Sequence, residues 1–285
     1  MTKNKLIAEA NLKRLGNYLK NPNISLTIYG DKYLYKNKII ESLATEILGI
    51  SESEIKDYPY LLKIKPNNHK IGIEQIKDIN RFIKLKVPVI KKINRIILIY
   101  TADKMTIEAQ NAFLKNLEEP PSGTLFLMST NNLTSLLSTI RSRTINIRIL
   151  KPTTKEILLH FKKQGYSQDE IKKAINISNS LPKLVANTLS KKDHNLDNKI
   201  RLAKQIISSS YFDKLKLIDD IVQDKDRLKD ILYIIKQMSQ FGILSKSHEE
   251  ANRWLNILDK TIAIEDDIKK KGQLKLLLTN YFLNV

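Results

Sequence analysis

The sequence predicts an α/β module built on a parallel sheet, followed by a remainder that is all helix. Three observations carry this. Up to about residue 150, apolar β-branched runs alternate with amphipathic helical spacings, which is the order of a parallel sheet flanked by helices. Two of the runs, RIILIY (95–100) and TLFLMST (124–130), are continuous rather than alternating, as strands covered on both faces are. From Lys151–Pro152 to Val285 no strand-like run stands out.

The elements follow in order. SLTIYG (25–30) is an apolar run ended by Gly30 and reads as a buried strand. KNKIIESLATEILGI then places Ile39, Ile40, Leu43, Ala44, Ile47 and Leu48 on one helix face. YLLKIKP is a short strand, and GIEQIKDINRFIKLK a helix with Ile76, Ile79, Phe82 and Ile83 on one side. After RIILIY comes the clearest helix, TIEAQNAFLKNLEEPP: Thr106 can cap it, Glu108 suits its positive end, and Pro120–Pro121 stop it. Ser122–Gly123 turn the chain into TLFLMST, and TINIRIL alternates Ile145, Ile147 and Ile149 with polar residues as a last strand.

Beyond it, TTKEILLHFKKQG, SQDEIKKAINIS and LPKLVANTL read as helices, the last with proline in its first turn, where proline is tolerated. The polar run SKKDHNLDNK reads as a linker. Helices are then expected over 199–209, 211–222, 224–240 and 249–259, with a final one ending at Leu283. Trp254 shares an apolar face with Leu258, which points to core packing.

The bulk composition sets further bounds. A chain of 285 residues, 42% apolar, can form two or three compact domains. With no cysteine it forms no disulfide and no thiolate zinc site, and four scattered histidines do not make a metal site. The amphipathic N-terminus has no apolar signal core, and no run reaches the length of a membrane span. A cytoplasmic protein with no membrane partner is therefore expected. The net charge of +19 favours an acidic partner, most simply nucleic acid. The competing account is that lysine, with Ile and Asn, reflects an AT-rich genome.

One loop has the outline of a phosphate-binding site. In the pattern GxxxxGK[ST], Gly30 holds the first glycine and Lys36 the lysine, but the second glycine is Tyr35 and the hydroxyl residue is Asn37. Tyr35 puts a ring where backbone N–H groups would close on phosphate. Asn37 offers an amide oxygen in place of a magnesium-binding hydroxyl. At the end of RIILIY, where such NTPases carry Asp and often Glu to hold magnesium, stand Tyr100 and Thr101; Asp103 comes three residues late and reads as a cap on the next helix. Both halves are degenerate. The expectation is a nucleotide-binding fold without hydrolysis, with no cofactor and no metal.

The stretch ADKMTIEAQNAFLKNLEEPPSGTLFLMSTNNLTSLLSTIRSRTINIRI (102–149) closely resembles clamp-loader subunits of the AAA+ superfamily. It follows their helix NALLKTLEEPP, their strand TLFIL and their LLPTIRSRC element. IGIEQIKDINRFI (71–83) is similar to their I.IDQIRELNEFL. Within that family the broken nucleotide motifs point to the delta-prime type of the bacterial DNA polymerase III clamp loader. The chain departs from the family in three ways: it lacks the four-cysteine zinc module, leaving 49–66 short; Thr144 replaces the cysteine of SRC; and Ser138 replaces the proline of LLPTI.

The resemblance implies a RecA-like AAA+ module over 1–150, a small helical lid over 151–195 and an all-α collar over 196–285. It implies a subunit that does not hydrolyse ATP itself but stands as a stator. Arg143, in the SRC position with Ser142, would supply an arginine finger to a neighbour's ATP; a planar, permanently charged guanidinium suits phosphate oxygens. The alternative for Arg143 is a surface arginine capping backbone carbonyls, and Arg141 is its nearest competitor. Implied partners are tau/gamma-like ATPase subunits, a delta-like subunit, a sliding clamp through the complex, and primed DNA. Lys77 and Arg81 lie on the polar face of a helix that in the family lines the DNA chamber; a merely solvated face explains them as well. Lys183 falls where active relatives carry a nucleotide-sensing arginine, and Ser129–Asn132 match a sensor segment. Adjacent Glu118 and Glu119 point in different directions on a helix and read as a charged terminus rather than an acid–base pair. Two other functions remain open: an active AAA+ ATPase with atypical motifs, and a stand-alone nucleic-acid-binding protein.

Overall fold

The structure, a computed structural model, describes residues 6–88, 91–245, 247–270 and 272–285. The first five residues of the amphipathic N-terminal stretch lie outside them. The chain divides between Pro152 and Thr153 into two compact units.

The first unit runs α1 (Glu9–Leu19), β1 (Leu26–Tyr29), α2 (Lys36–Leu48), β2 (Leu61–Ile64), α3 (Ile73–Ile83), β3 (Arg95–Ile99), α4 (Ile107–Glu118), β4 (Thr124–Thr130), α5 (Ser138–Ser142) and β5 (Ile145–Arg148). Its five strands form one sheet in the order β2-β3-β4-β1-β5, every pair parallel. Each strand read from the sequence is present. The two continuous runs became β3 and β4, buried along their whole length near the middle of the sheet.

Alternate residues of a strand face opposite ways. Ile97, Ile99, Phe126 and Met128 face α3 and α4, where Ile76, Ile79 and Phe113 complete one core. The Phe113 and Phe126 rings meet edge to face at 5.1 Å, a favoured aromatic geometry. Ile96, Leu98, Leu125 and Leu127, all buried, point the other way, and α2 packs on β1, β3 and β4. Thr106 caps α4 by accepting from the Ala109 amide at 3.2 Å. Asn11, fully buried on α1, exchanges two 2.9 Å hydrogen bonds with the backbone of Leu150 and ties α1 to the end of β5.

One strand is not as its pattern suggested. Ile145 is 36% exposed and Ile147 only half-buried, while Ile149 is buried. Among the described residues β5 pairs with β1 alone, so it is an edge strand and its alternation meets little core.

The second unit is α6 (Thr154–Lys162), α7 (Gln168–Ser178), α8 (Pro182–Ser190), α9 (His194–Ser208), α10 (Tyr211–Val222), α11 (Lys225–Ser245), α12 (His248–Lys269) and α13 (Leu274–Asn284). Among the described residues it holds no strand. The stretch 190–199, read as a polar linker, is mostly helix. Asp193 accepts from the Leu196 amide and starts α9, and Leu196 and Ile200 are buried; two apolar residues four apart suffice once a neighbour covers them. Trp254 packs on α11 so closely that a Cβ added to Gly242 would lie 2.4 Å from its ring. Among the described residues no helix is long and apolar enough to cross a membrane.

Candidate functional site

In a parallel sheet a ligand crevice opens at the carboxyl ends of the strands where connections leave in opposite directions. Here that point is the end of β1, between β4 and β5. A cavity of about 520 Å³ lies there, walled by Tyr29–Asp31, Asn131–Thr134 and Arg148–Lys151. Burial pulls the Lys151 ammonium below its ordinary value, with the charge of Asp31 working against the fall.

Gly30 has φ +150°, and a Cβ there would meet the Ile149 carbonyl oxygen at 2.7 Å. This glycine is thus required by backbone packing against the end of β5, whatever the loop binds. Lys36, the first residue of α2, is 4% exposed and donates to the carbonyls of Gly30 at 2.9 Å and Asp31 at 2.5 Å. Its ammonium is spent on its own loop. Tyr35 is half-buried at the helix start, and burial pushes its phenol up. Asn37 Oδ1 accepts from Ser129 Oγ at 2.6 Å, and that oxygen in turn accepts from the Thr101 amide at 3.1 Å. Thr101 takes left-handed backbone, φ +54°, to aim its N–H there.

Tyr100, 2% exposed, donates through its hydroxyl to Glu41 Oε1 at 2.7 Å. Burial, then the hydrogen bond to Glu41, push the phenol well up. At Glu41 burial works against the charged form. Hydrogen bonds from Lys38 and Tyr100, with the charges of Lys38 and Lys63, outweigh it, so the carboxyl lies below its ordinary value. Asp103 does not cap α4. Its carboxylate accepts from Thr130 Oγ1 and the Asn131 amide, both at 2.9 Å, and pins the end of β4, because a short turn at 102–104 directs it back over the sheet.

These groups do not fit a magnesium nucleotide. Positions 100 and 101 carry no carboxylate, Asn37 Oδ1 and Asp103 are engaged by protein donors, and no group of three or more His, Cys, Asp or Glu that could hold a metal occurs among the described residues. The Glu41 partner of Tyr100 carried no sequence signal; the two are far apart in the chain.

Arg143 ends the five-residue α5. Its Nη1 donates to the Thr139 carbonyl at 3.0 Å, and Nη2 lies 2.8 Å from Glu118 Oε1 on α4, with side chains 36% and 47% exposed. The carbonyl-capping role weighed from sequence is therefore present, and Glu118, read there as one of two terminal charges, is its ion partner. Ser142 Oγ donates to the same Thr139 carbonyl at 3.1 Å. Arg141 differs, with a buried Nε that has no hydrogen-bond partner. Lys77 pairs with Glu74 at 2.7 Å and Arg81 with Asp78 along the exposed side of α3, so each of these charges is compensated within its helix. Lys183 lies in α8, in the second unit.

Known proteins resemble this chain as follows. Residues 28–153 match the sequence profile of the family described as DNA polymerase III, delta subunit. The DNA polymerase III subunit delta′ of Haemophilus influenzae is 27% identical over 181 residues, 58% of this chain and 54% of that one. The subunit delta′ of Buchnera aphidicola is 30% identical over 178 residues, 61% and 48%. Replication factor C subunit 5 of Schizosaccharomyces pombe is 29% identical over 146 residues, 51% and 38%. The chain thus spans about half the length of the bacterial relatives it matches. Among solved structures, a DNA polymerase III gamma subunit-related protein of Thermotoga maritima superposes with TM-score 0.54 at 19% identity, covering 95% of this chain and 97% of that one; at this identity the likeness concerns the fold.

Proposed function

We propose that the chain is a delta-prime-like clamp-loader subunit of the DNA polymerase III kind, supported by the match over residues 28–153 and the delta′ relatives, and that it acts as a non-hydrolysing stator. It lends Arg143 to the ATP of an adjacent tau/gamma-like subunit. The assembly, with a delta-like subunit, places a sliding clamp on primed DNA in the cytoplasm. In this reading the chain beyond residue 150 divides into a lid (151–195) and a collar (196–285). Leu255 and Ile262 on α12, and Leu276 and Leu283 on α13, are exposed and two turns apart on each helix, which suits collar helices packing against other subunits.

One contrast carries the proposal. The chain's own nucleotide loop is satisfied by its own groups, with Lys36 bound to the Gly30 and Asp31 carbonyls. Meanwhile Arg143 stands partly exposed on α5 with most of its donors uncommitted. A guanidinium supplied in trans stabilises charge on a phosphoryl group in transfer, worth on the order of 10³–10⁵ in rate in GTPase systems. Lys77 and Arg81 remain candidates for sequence-independent phosphate contact, which requires them to exchange Glu74 and Asp78 for DNA.

The test is reconstitution with the ATPase subunits of the same organism. Arg143→Ala leaves assembly intact and lowers DNA-stimulated hydrolysis at least about tenfold, roughly 1.4 kcal/mol in barrier. An unchanged rate in an intact complex rejects the finger.

A further inference from the structure

We propose that Glu118 is a positioning residue that fixes the plane of the Arg143 guanidinium. The inference rests on the finger reading of Arg143 and deepens it. A guanidinium is a rigid fork with five N–H donors. Thr139, which takes one of them, sits on the arginine's own short helix, and a single anchor leaves the plane free to swing about that bond. The Glu118 carboxylate takes a donor on the other terminal nitrogen and comes from a different element. Two anchors on two nitrogens define the plane, and Nε–H together with the outer N–H groups is left to face an anion.

The frame behind the pair is stiff. Glu118 is the last residue of α4, whose Phe113 lies in the sheet core. Buried Gln110, on the same helix, donates to the Ser135 carbonyl at 3.2 Å and accepts from the Leu137 amide at 2.8 Å. It thereby fixes α4 against the start of α5. An exposed ion pair contributes only about 0.2–1 kcal/mol to folding, so the pair has little weight as a stabiliser. Orientation of a group at a reacting centre is far more sensitive to small displacements.

The experiment compares wild type, Glu118→Ala, Glu118→Gln, Arg143→Ala and the Glu118→Ala/Arg143→Ala double variant, each reconstituted with the cognate ATPase subunits on primed DNA. Glu118→Ala lowers the maximal rate about threefold, the scale of an exposed pair, with KM for ATP unchanged. Glu118→Gln, which keeps an accepting oxygen, loses less. In the Arg143→Ala background the Glu118 change does nothing further. On the isolated chain, phenylglyoxal modifies Arg143 at least about twice as fast in Glu118→Ala, followed by peptide mass spectrometry, because a carboxylate-paired guanidinium is the less available one. An unaltered rate or a faster rate in Glu118→Ala, with Arg143→Ala still impaired, overturns the positioning role and leaves the finger standing. An equal loss in both backgrounds overturns it as a general structural effect, and unchanged phenylglyoxal reactivity overturns the pair itself. If Arg143→Ala has no effect, the finger reading falls and this inference with it.

Discussion

The Tyr100 hydroxyl donates a 2.7 Å hydrogen bond to Glu41 Oε1, joining the end of β3 to the second turn of α2. The hydroxyl at the end of β3 thereby fastens a helix to the sheet. Tyr100→Phe removes the donor and leaves a carboxylate with Lys38 as its remaining side-chain hydrogen-bond donor. A hydrogen bond to a charged group is worth about 1.5–3 kcal/mol. With Lys38 still in place and the carboxylate partly solvated, the expected loss at neutral pH is about 1 kcal/mol, near the neutral-bond value.

The same pair sets a pH dependence. The folded Glu41 carboxyl is below its ordinary value, so its contribution is present above the unfolded value, about 4.3, and is lost as pH falls through the lowered folded value. The gap between wild type and Tyr100→Phe in urea unfolding is therefore full above about pH 5 and narrows on acidification. A gap that stays constant from neutral to strongly acid pH contradicts the Glu41 assignment.

The second prediction concerns the crevice. Saturating magnesium ATP leaves the thermal midpoint of the isolated chain unchanged. If the degenerate loop still bound nucleotide with a micromolar constant, a thousandfold excess would add about 4 kcal/mol, which moves the midpoint by several degrees. Such a shift, together with turnover by the isolated chain, favours the active-ATPase alternative.

The third concerns the helical unit, and two opposing effects decide its sign. Glycine to alanine inside a helix gains up to about 1 kcal/mol in propensity. At Gly242 the new methyl meets three Trp254 ring atoms at 2.4–2.5 Å, and overpacking costs about 1–3 kcal/mol. Gly242→Ala is expected to lower stability by about 1 kcal/mol, read by thermal unfolding with the single Trp254 as fluorophore. Gly16→Ala, in α1 with nothing within 4 Å of the added carbon, is the control and goes the other way. Equal gains at both sites would mean that the α11–α12 contact is looser than described.

The sequence by itself determined the five strands, the capped α4 and most of the helices after Pro152, the start of α9 excepted, because each follows from period, turn residues and β-branched runs acting over a few neighbours. It also determined that positions 35, 37, 100 and 101 carry Tyr, Asn, Tyr and Thr in place of the glycine, hydroxyl residue and carboxylates of the nucleotide-loop pattern, since that is a matter of residue type. Only the tertiary structure decided where the freed polar groups go. Asn37 meets Ser129, Tyr100 meets Glu41, Asp103 turns to Thr130 and Asn131 instead of capping α4, and Glu118 meets Arg143. All these pairs but the last bind elements whose strands are neighbours or lie against a common helix, and the last joins two helices through a five-residue element too short to show a period. Partners of that kind are set by chain crossings and by the need of each poorly solvated donor for an acceptor, which no local pattern in the sequence records.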